Sequence, residues 1–303
     1  VPLIELFLMS PPAPCFRLRG RANFRSESAR EVSPRAALAE WLTVSDAIEA
    51  RGGRVVCLIP ETDLDLTGMP YAAESGHVVD RDGQLSFLLP NMASPHRRLE
   101  RNVWREAASA IGLKPVDIPR GIWEAQGDVA EFRGRTLLTY GGRTDVAGVS
   151  AVSRWFPEDA LRVEIRLPAF HGNMAMLPLE SADKLVVCPE ALVGDAFVRL
   201  VNAFGREAIV PVDLDDVRLY ATNALAIGRE LIVPHLAPQR LTSLGSNWGY
   251  NIVVVKMVEL CDKGGGGPRC LVSRARLECA RIRVPHELDF RARREEIVAR
   301  LSP

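Results

Sequence analysis

Short apolar runs of strand type recur along the whole sequence, at 54–60, 84–90, 136–140, 162–167, 184–188, 208–212, 220–227, 230–233 and 251–257. Charge or proline ends each of them within about a dozen residues, too few for a membrane-spanning helix. Helix-patterned stretches lie between them at 34–50, 96–111 and 195–205, and more weakly at 239–248. Such alternation describes a layered α/β protein rich in strands. A doubly wound sheet is the generic expectation, yet no GxGxxG or GxxxxGK[ST] turn follows an early strand. The glycines stand elsewhere, at Gly127, at Gly141-Gly142 and in the run Gly264 to Gly267. The strand-helix-strand units resemble one another, which suggests internal repetition. No low-complexity linker marks a domain boundary.

At 303 residues and 33.3 kDa the chain can bury a sizeable core as two domains or as one closed architecture. Lys plus Arg and Asp plus Glu both number 38, so there is no overall basic field for a phosphate backbone, and nucleic-acid binding is not expected. A small-molecule substrate is the default partner; no membrane partner is expected, and a homodimer stays open. The six cysteines are scattered without a CxxC pair or a His-rich partner run, which fits a reduced cytoplasmic protein with neither metal nor cofactor. His77, His96, His235 and His286 are isolated, and the even spacing of Cys261, Cys270 and Cys279 matches no common zinc site, so Cys261 and Cys279 read as structural. The apolar start, Val-Pro-Leu-Ile-Glu-Leu-Phe-Leu-Met-Ser, contains Glu5 and lacks the flanks of a signal peptide. Residues 1–18 are therefore expected to be an N-terminal extension to one catalytic domain at 19–303.

The most specific segment is Lys263-Gly-Gly-Gly-Gly-Pro268-Arg269-Cys270. Its glycines allow close backbone approach and exposed N–H groups, and Lys263 and Arg269 would favour a thiolate at Cys270. On local features it reads equally as a flexible loop beside a structural cysteine. His171, in Phe170-His171-Gly172-Asn173, follows a strand end, where an imidazole can reach a pocket; alone it is as well explained as a hydrogen-bonded polar side chain. Glu124 and Asp128 lie in Trp123-Glu-Ala-Gln-Gly-Asp128 and could hold a cation, while Arg143 in Arg143-Thr144-Asp145 could hold a carboxylate. A polar surface turn would look the same.

Taken in order, these pieces resemble the guanidine-modifying (pentein) superfamily: arginine deiminases, amidinotransferases and dimethylarginine dimethylaminohydrolases. The resemblance runs from about Arg19 to Leu277. It rests on Gly68-Met-Pro-Tyr-Ala-Ala-Glu74-Ser-Gly76, Pro95-His-Arg-Arg98-Leu-Glu100, Glu124 to Asp128, Arg143-Thr144-Asp145, His171, Asn223 and the glycine run ending in Cys270. It implies an α/β fold of five ββαβ modules with pseudo-fivefold symmetry. It also implies that Cys270 attacks an amidine-like carbon, that His171 protonates the leaving amine and then activates water or an acceptor amine, and that Glu124 holds the cation. Arg143 and Arg98 would bind a substrate carboxylate or order the loops around it. Asn173, Glu74 and Asp128 complete the implied binding set, although the Gly-Asp turn at Asp128 also reads as structural.

Two positions depart from the family pattern. Where the family often has Asp-Met-Val-Phe-Thr-Ala-Asn, this chain has Gly68 to Glu74, so the aspartate that usually grips the guanidinium is missing. At the catalytic histidine, the family's His-x-Asp is replaced by His171-Gly172-Asn173. Losing both anions disfavours a bare guanidinium, because a buried cation needs carboxylates. Glu74, Asp63 or Asp65 could compensate. The expected activity is hydrolysis of a C–N bond in a substituted guanidine or amidine-like, modified-arginine compound. An amidinotransferase and a non-catalytic binding protein on the same fold are the alternatives.

Overall fold

The structure, a computed structural model, describes residues 2–20, 23–60 and 66–301. Its strands form five separate three-stranded sheets rather than one doubly wound sheet. The chain begins with β1 (Leu3–Met9), α1 (Pro34–Glu49) and β2 (Arg54–Cys57). Four complete units follow. The first has β3 (His77–Arg81), β4 (Gln84–Leu88), α2 (Glu100–Ala110) and β5 (Lys114–Val116). The second has β6 (Val129–Phe132), β7 (Arg135–Tyr140), α3 (Val146–Val152) and β8 (Leu161–Glu164). A single-turn helix α4 (Gly172–Ala175) leads into β9 (Met176–Leu179), β10 (Lys184–Val187), α5 (Ala196–Phe204) and β11 (Ile209–Pro211). After α6 (Leu214–Arg218) come β12 (Leu225–Ile227), β13 (Glu230–Pro234), α7 (Gln239–Asn247) and β14 (Asn251–Val255). The chain closes with β15 (Ser273–Glu278) and α8 (Phe290–Ala299).

In each of the four complete units the first strand pairs antiparallel with the second, and a helix then carries the chain to a third strand parallel to the second. The fifth unit has the same pairing but is assembled from both ends of the chain. β15 runs antiparallel to β1, with Leu6 opposite Ala275, and β1 runs parallel to β2, with Leu8 opposite Val56. Five ββαβ modules closed in this way are the pentein fold, and the repetition hinted at in the sequence is these modules.

The expected extension at 1–18 is corrected by this closure. β1 is the middle strand of its sheet, and Leu6, Phe7, Leu8 and Met9 are fully buried. An apolar segment of strand length was legible. That one of its partners, β15, stands some 270 residues downstream was not, because strand pairing leaves no local mark in sequence.

Local chemistry explains the helix limits. Ser33 caps α1 by accepting from the Ala36 amide at 3.2 Å, with Pro34 in the first turn where no N–H is needed. Ala37, Leu38, Trp41, Leu42, Val44 and Ile48 form its buried face, and Trp41 meets Phe290 of α8 edge-on at 5.7 Å. The expected helices begin and end within a few residues of α1, α2, α5 and α7. The short α3 went unread. Among the described residues no helix is long and apolar enough to cross a membrane.

If β1 is integral, Phe7→Ala should lower unfolding stability by about 3–5 kcal/mol in a denaturant melt, as for other buried phenylalanines. Leu3→Ala, at a side chain 55% exposed, should change it by less than about 0.5 kcal/mol. Equal, small effects would mean that the segment is dispensable.

Candidate active site

The segment just upstream of the first strand of every module carries one of the chemically interesting side chains. Glu74 precedes β3, Glu124 precedes β6, His171 and Asn173 precede β9, Asn223 precedes β12 and Cys270 precedes β15. Pseudo-symmetry therefore brings residues scattered over two hundred positions to one end of the ring. Beside them lies a small cleft, with Cys270, Glu74, Arg143, Phe170 and Gly264 to Gly266 among its walls.

The glycine run is tightly covered. A Cβ at Gly264 would stand 2.0 Å from the Tyr71 hydroxyl, and one at Gly266 would stand 2.5 Å from the Tyr71 ring and 3.1 Å from Cys270 Cβ. Tyr71 is fixed in turn by donating to the Leu260 carbonyl at 3.1 Å. The turn before the run is held by Glu40, whose carboxylate accepts from the amides of Val258, Glu259 and Leu260 at 2.6, 2.9 and 2.9 Å. The alternative of a loose glycine loop does not survive these contacts.

Cys270 is 2% exposed. Asn223 Nδ2 donates to its Sγ at 3.1 Å and Asn173 Nδ2 at 3.6 Å, while the Cys270 amide donates to Asn223 Oδ1 at 3.2 Å. Burial pushes the thiol above its ordinary pKa; the amide of Asn223, the charge of Arg269, the amide of Asn173 and the charge of Arg143 oppose that rise. Of the two expected cationic activators only Arg269 acts. It is half-buried, desolvated enough to bring its own pKa down to about 10, and donates to the Met176 carbonyl at 2.6 Å. Lys263 is taken up by Glu259 at 2.9 Å and by the Glu31 carbonyl at 3.0 Å.

His171 has no exposed surface. Its Nε2 lies 2.7 Å from Glu124 Oε2, and its Nδ1 lies 3.3 Å from Glu74 Oε1 without completing a hydrogen bond. Glu124 is equally buried: Oε1 accepts from the Ala93 amide at 2.9 Å, and Oε2 is 3.5 Å from Arg143 Nη1. Burial alone would raise the Glu124 pKa, but the His171 hydrogen bond and the charges of Arg143, His171 and Arg97 hold it well below the usual carboxylate range. Glu124, expected to hold the substrate cation, is hydrogen-bonded to His171 and stands behind the residues that line the cleft. Glu74 does line the cleft, between Arg143 at 3.9 Å and a close contact with Arg97. Glu74, Glu124 and His171 offer three potential metal ligands within 4.8 Å of one another, a cluster missed when the histidines were judged one by one. Two arginines already serve its carboxylates.

Asp128 is buried and its carboxylate is taken up by hydrogen bonds within the protein. Its Oδ1 accepts from Thr139 at 2.6 Å and from the Gly172 amide at 2.9 Å, and its Oδ2 accepts from Thr144 at 2.7 Å. It thereby fixes the backbone next to His171. The motif Arg143-Thr144-Asp145 divides into three tasks: Arg143 reaches the cleft, Thr144 holds Asp128 and accepts from the Glu124 amide at 3.0 Å, and Asp145 caps α3 through the Gly148 amide at 2.6 Å. Asn173, expected to touch substrate, is 1% exposed and turned to the thiol.

Arg98 is a second correction. It is exposed, donates to the Met92 carbonyl at 3.4 Å and does not line the cleft; its neighbour Arg97 does. Two adjacent arginines on one short turn point in different directions, and only the turn's phase decides which faces inward. Arg97 fills the space that the family's aspartate would need, since a Cβ at Gly68 would stand 1.9 Å from Arg97 Nε. The guanidinium is held by Glu100, with Nη2 at 2.8 Å, and by the Gly68 carbonyl at 2.9 Å. Asp63 and Asp65 lie outside the described residues. Asn223, a lone amide inside an apolar run, was the available signal for the thiol's nearest partner.

The five-module ring with a cysteine at one end defines a protein on the fold of the guanidine-modifying enzymes. Among its relatives is the N(G),N(G)-dimethylarginine dimethylaminohydrolase of Mycobacterium tuberculosis, 25% identical over 269 residues, 89% of this chain and 85% of the relative. The N-terminal domain of ArgZ, a cyanobacterial arginine dihydrolase, superposes with a TM-score of 0.81 at 20% identity over 89% of this chain and 97% of that one. A dimethylarginine dimethylaminohydrolase in adduct with S-methyl-L-thiocitrulline superposes with a TM-score of 0.68 at 16% identity, over 90% and 100% of the two chains. No protein-family model matches the sequence.

Two outcomes follow from this geometry. Iodoacetamide should alkylate Cys270 with a pH midpoint above that of an ordinary thiol, and Asn223→Ala should move the midpoint higher; a midpoint in the neutral range would refute the desolvated thiol. Asp128→Ala should cost more than about 3 kcal/mol, because hydrogen bonds to a charged group contribute about 1.5–3 kcal/mol each and three donors are left without it. Calorimetry would detect the loss.

Proposed function

We propose that the chain is a cysteine-dependent hydrolase of a C–N bond in a substituted guanidine or related amidine of the modified-arginine type. The observation that carries this reading is the placement of Cys270 in the cleft wall, with two amides on its sulfur and with Glu74, which also lines the cleft, 3.3 Å from the buried His171 that pairs with Glu124. The Cys270 thiol gives its proton to solvent, and the sulfur forms a C–S bond to the amidine carbon. The C–N bond to the substituted nitrogen breaks, and that nitrogen departs as an amine carrying a proton from His171. Water, losing a proton to His171, then attacks the thiouronium carbon; the C–S bond breaks, and a ureido product leaves. One ArgZ domain structure holds a covalent reaction intermediate, which supports an intermediate of this kind here.

His171 is fully buried with Glu74 Oε1 3.3 Å from its Nδ1, so catalysis requires Glu74 to move when substrate enters. The same burial favours a second reading, a binding protein in which the pair stays buried. Incubation with N-methylated arginines and 2-chloroacetamidine separates the two. A mass increase on the Cys270 peptide together with released methylamine, both lost in Cys270→Ser, is the expected result. An intact, foldable protein that forms no adduct with any amidine would leave binding as its role.

A further inference from the structure

Glu40 belongs to α1, yet its carboxylate closes the start of the helical turn 258–263 that leads into the glycine run. Oε1 accepts from the amides of Val258 at 2.6 Å and Glu259 at 2.9 Å, and Oε2 accepts from Glu259 at 3.0 Å and Leu260 at 2.9 Å. The turn answers in kind. Glu259 Oε2 accepts at 2.8 Å from the amide of Ser33, the residue that caps α1. Each element thus satisfies backbone donors at the start of the other with a carboxylate, the logic of a reciprocal helix cap carried between distant segments.

The other end of the same turn is cleft wall. The amides of Gly264, Gly265 and Gly266 donate to the carbonyls of Glu259, Cys261 and Leu260 at 3.0, 2.9 and 3.1 Å. Leu260 is the joint: its N–H goes to Glu40, and its carbonyl accepts both from the Gly266 amide and from the Tyr71 hydroxyl, the latter at 3.1 Å. Gly266 is wedged between Tyr71 and the nucleophile, since a Cβ on it would stand 2.5 Å from the Tyr71 ring and 3.1 Å from Cys270 Cβ. Tyr71 and Gly264 to Gly266 line the cleft beside Cys270.

We infer that Glu40 is a positioning residue for the reaction at Cys270: its carboxylate, through Leu260, fixes Tyr71 and Gly266 against the nucleophile. The inference rests on the reading of Cys270 as the nucleophile toward an amidine carbon. A glutamine offers one acceptor oxygen in place of two and turns an NH2 group toward an amide that is itself a donor, so a backbone N–H loses its partner. With the turn loosened, the wall no longer holds a flat amidine in line with the sulfur, where a misplacement of about 1 Å costs on the order of a hundredfold. The thiol, 2% exposed in the intact site, opens to small reagents.

The test compares Glu40→Gln with Glu49→Gln in the full chain. Glu49 is the matched control, a carboxylate of the same helix that accepts from the Val55 amide of β2 at 2.7 Å. Two reagents label Cys270: 2-chloroacetamidine, which must be recognised as an amidine, and iodoacetamide, whose plateau rate at high pH reads access alone. Glu40→Gln should slow chloroacetamidine by about tenfold or more and speed the iodoacetamide plateau by about tenfold, and Glu49→Gln should move neither by more than about twofold. General loosening of the fold would instead raise both rates together. If Glu40→Gln does not fold, Glu40→Asp, which keeps the charge but withdraws it by one methylene, should move both rates in the same directions by about threefold. Rates that stay unchanged or move the same way would overturn the inference, as would a Glu49→Gln protein that behaves like Glu40→Gln. Failure of the underlying reading looks different: the unaltered protein takes iodoacetamide at Cys270 but no chloroacetamidine, and the role of Glu40 in the reaction falls with it.

Discussion

Asp128 is 1% exposed, and its two oxygens accept from Thr139 of β7, from Thr144 just after β7 and from the Gly172 amide that opens α4. A carboxylate in a low-dielectric interior is tolerated only where donors replace the lost water, and three at 2.6–2.9 Å do so. The site depends on this knot. Gly172 is bonded directly to His171 in the chain, and Thr144 also accepts from the Glu124 amide, so one buried anion sets the distance between His171 and Glu124. The packing leaves no slack: a Cβ at Gly172 would strike Thr139 Oγ1 at 2.2 Å, and one at Gly127 would lie 3.2 Å from the imidazole. Without Asp128 the pair would lose its backbone reference before it lost either side chain.

Closure of the ring is what turns such local knots into a common site. Each module delivers the loop before its first strand to the same end, but five loops converge only if the ring shuts, and it shuts through β1 lying between β15 and β2. The first residues of the chain therefore contribute to the geometry at Cys270 through the strand that follows it. Helix α8 adds a second tie, with Asp289 bonded to Arg54 of β2 at 2.6 Å and Phe290 packed on Trp41.

The charges beside the cleft are set together. With no side chain at Gly68, Arg97 lies against that backbone, and its buried positive charge is matched by Glu100 and Glu74. Breaking such a buried set by removing one partner is costly because the others are left uncompensated. Glu74, in the place of an asparagine in the related pattern, belongs to that balance as much as to the cleft.

The chain's own chemistry was largely readable in order. Alternating strand and helix patterns gave the layered α/β class, and the ordered motifs from Gly68 to Cys270 pointed to the pentein ring and to Cys270, His171, Glu124 and Arg143. The helix read from residue 34 starts where Ser33-Pro34 caps α1, local chemistry that needs no partner elsewhere. Sequence alone was enough for these because each depends on neighbours within a few residues or on a motif kept intact. Tertiary structure decided the rest. It made residues 3–9 a central strand, turned Arg97 inward and Arg98 out, gave the thiol to Asn223 and drew Lys263 away to Glu259. Those outcomes depend on which distant segments share an interior, and burial, which sets the cost of every charge in this site, exists only once the ring has closed.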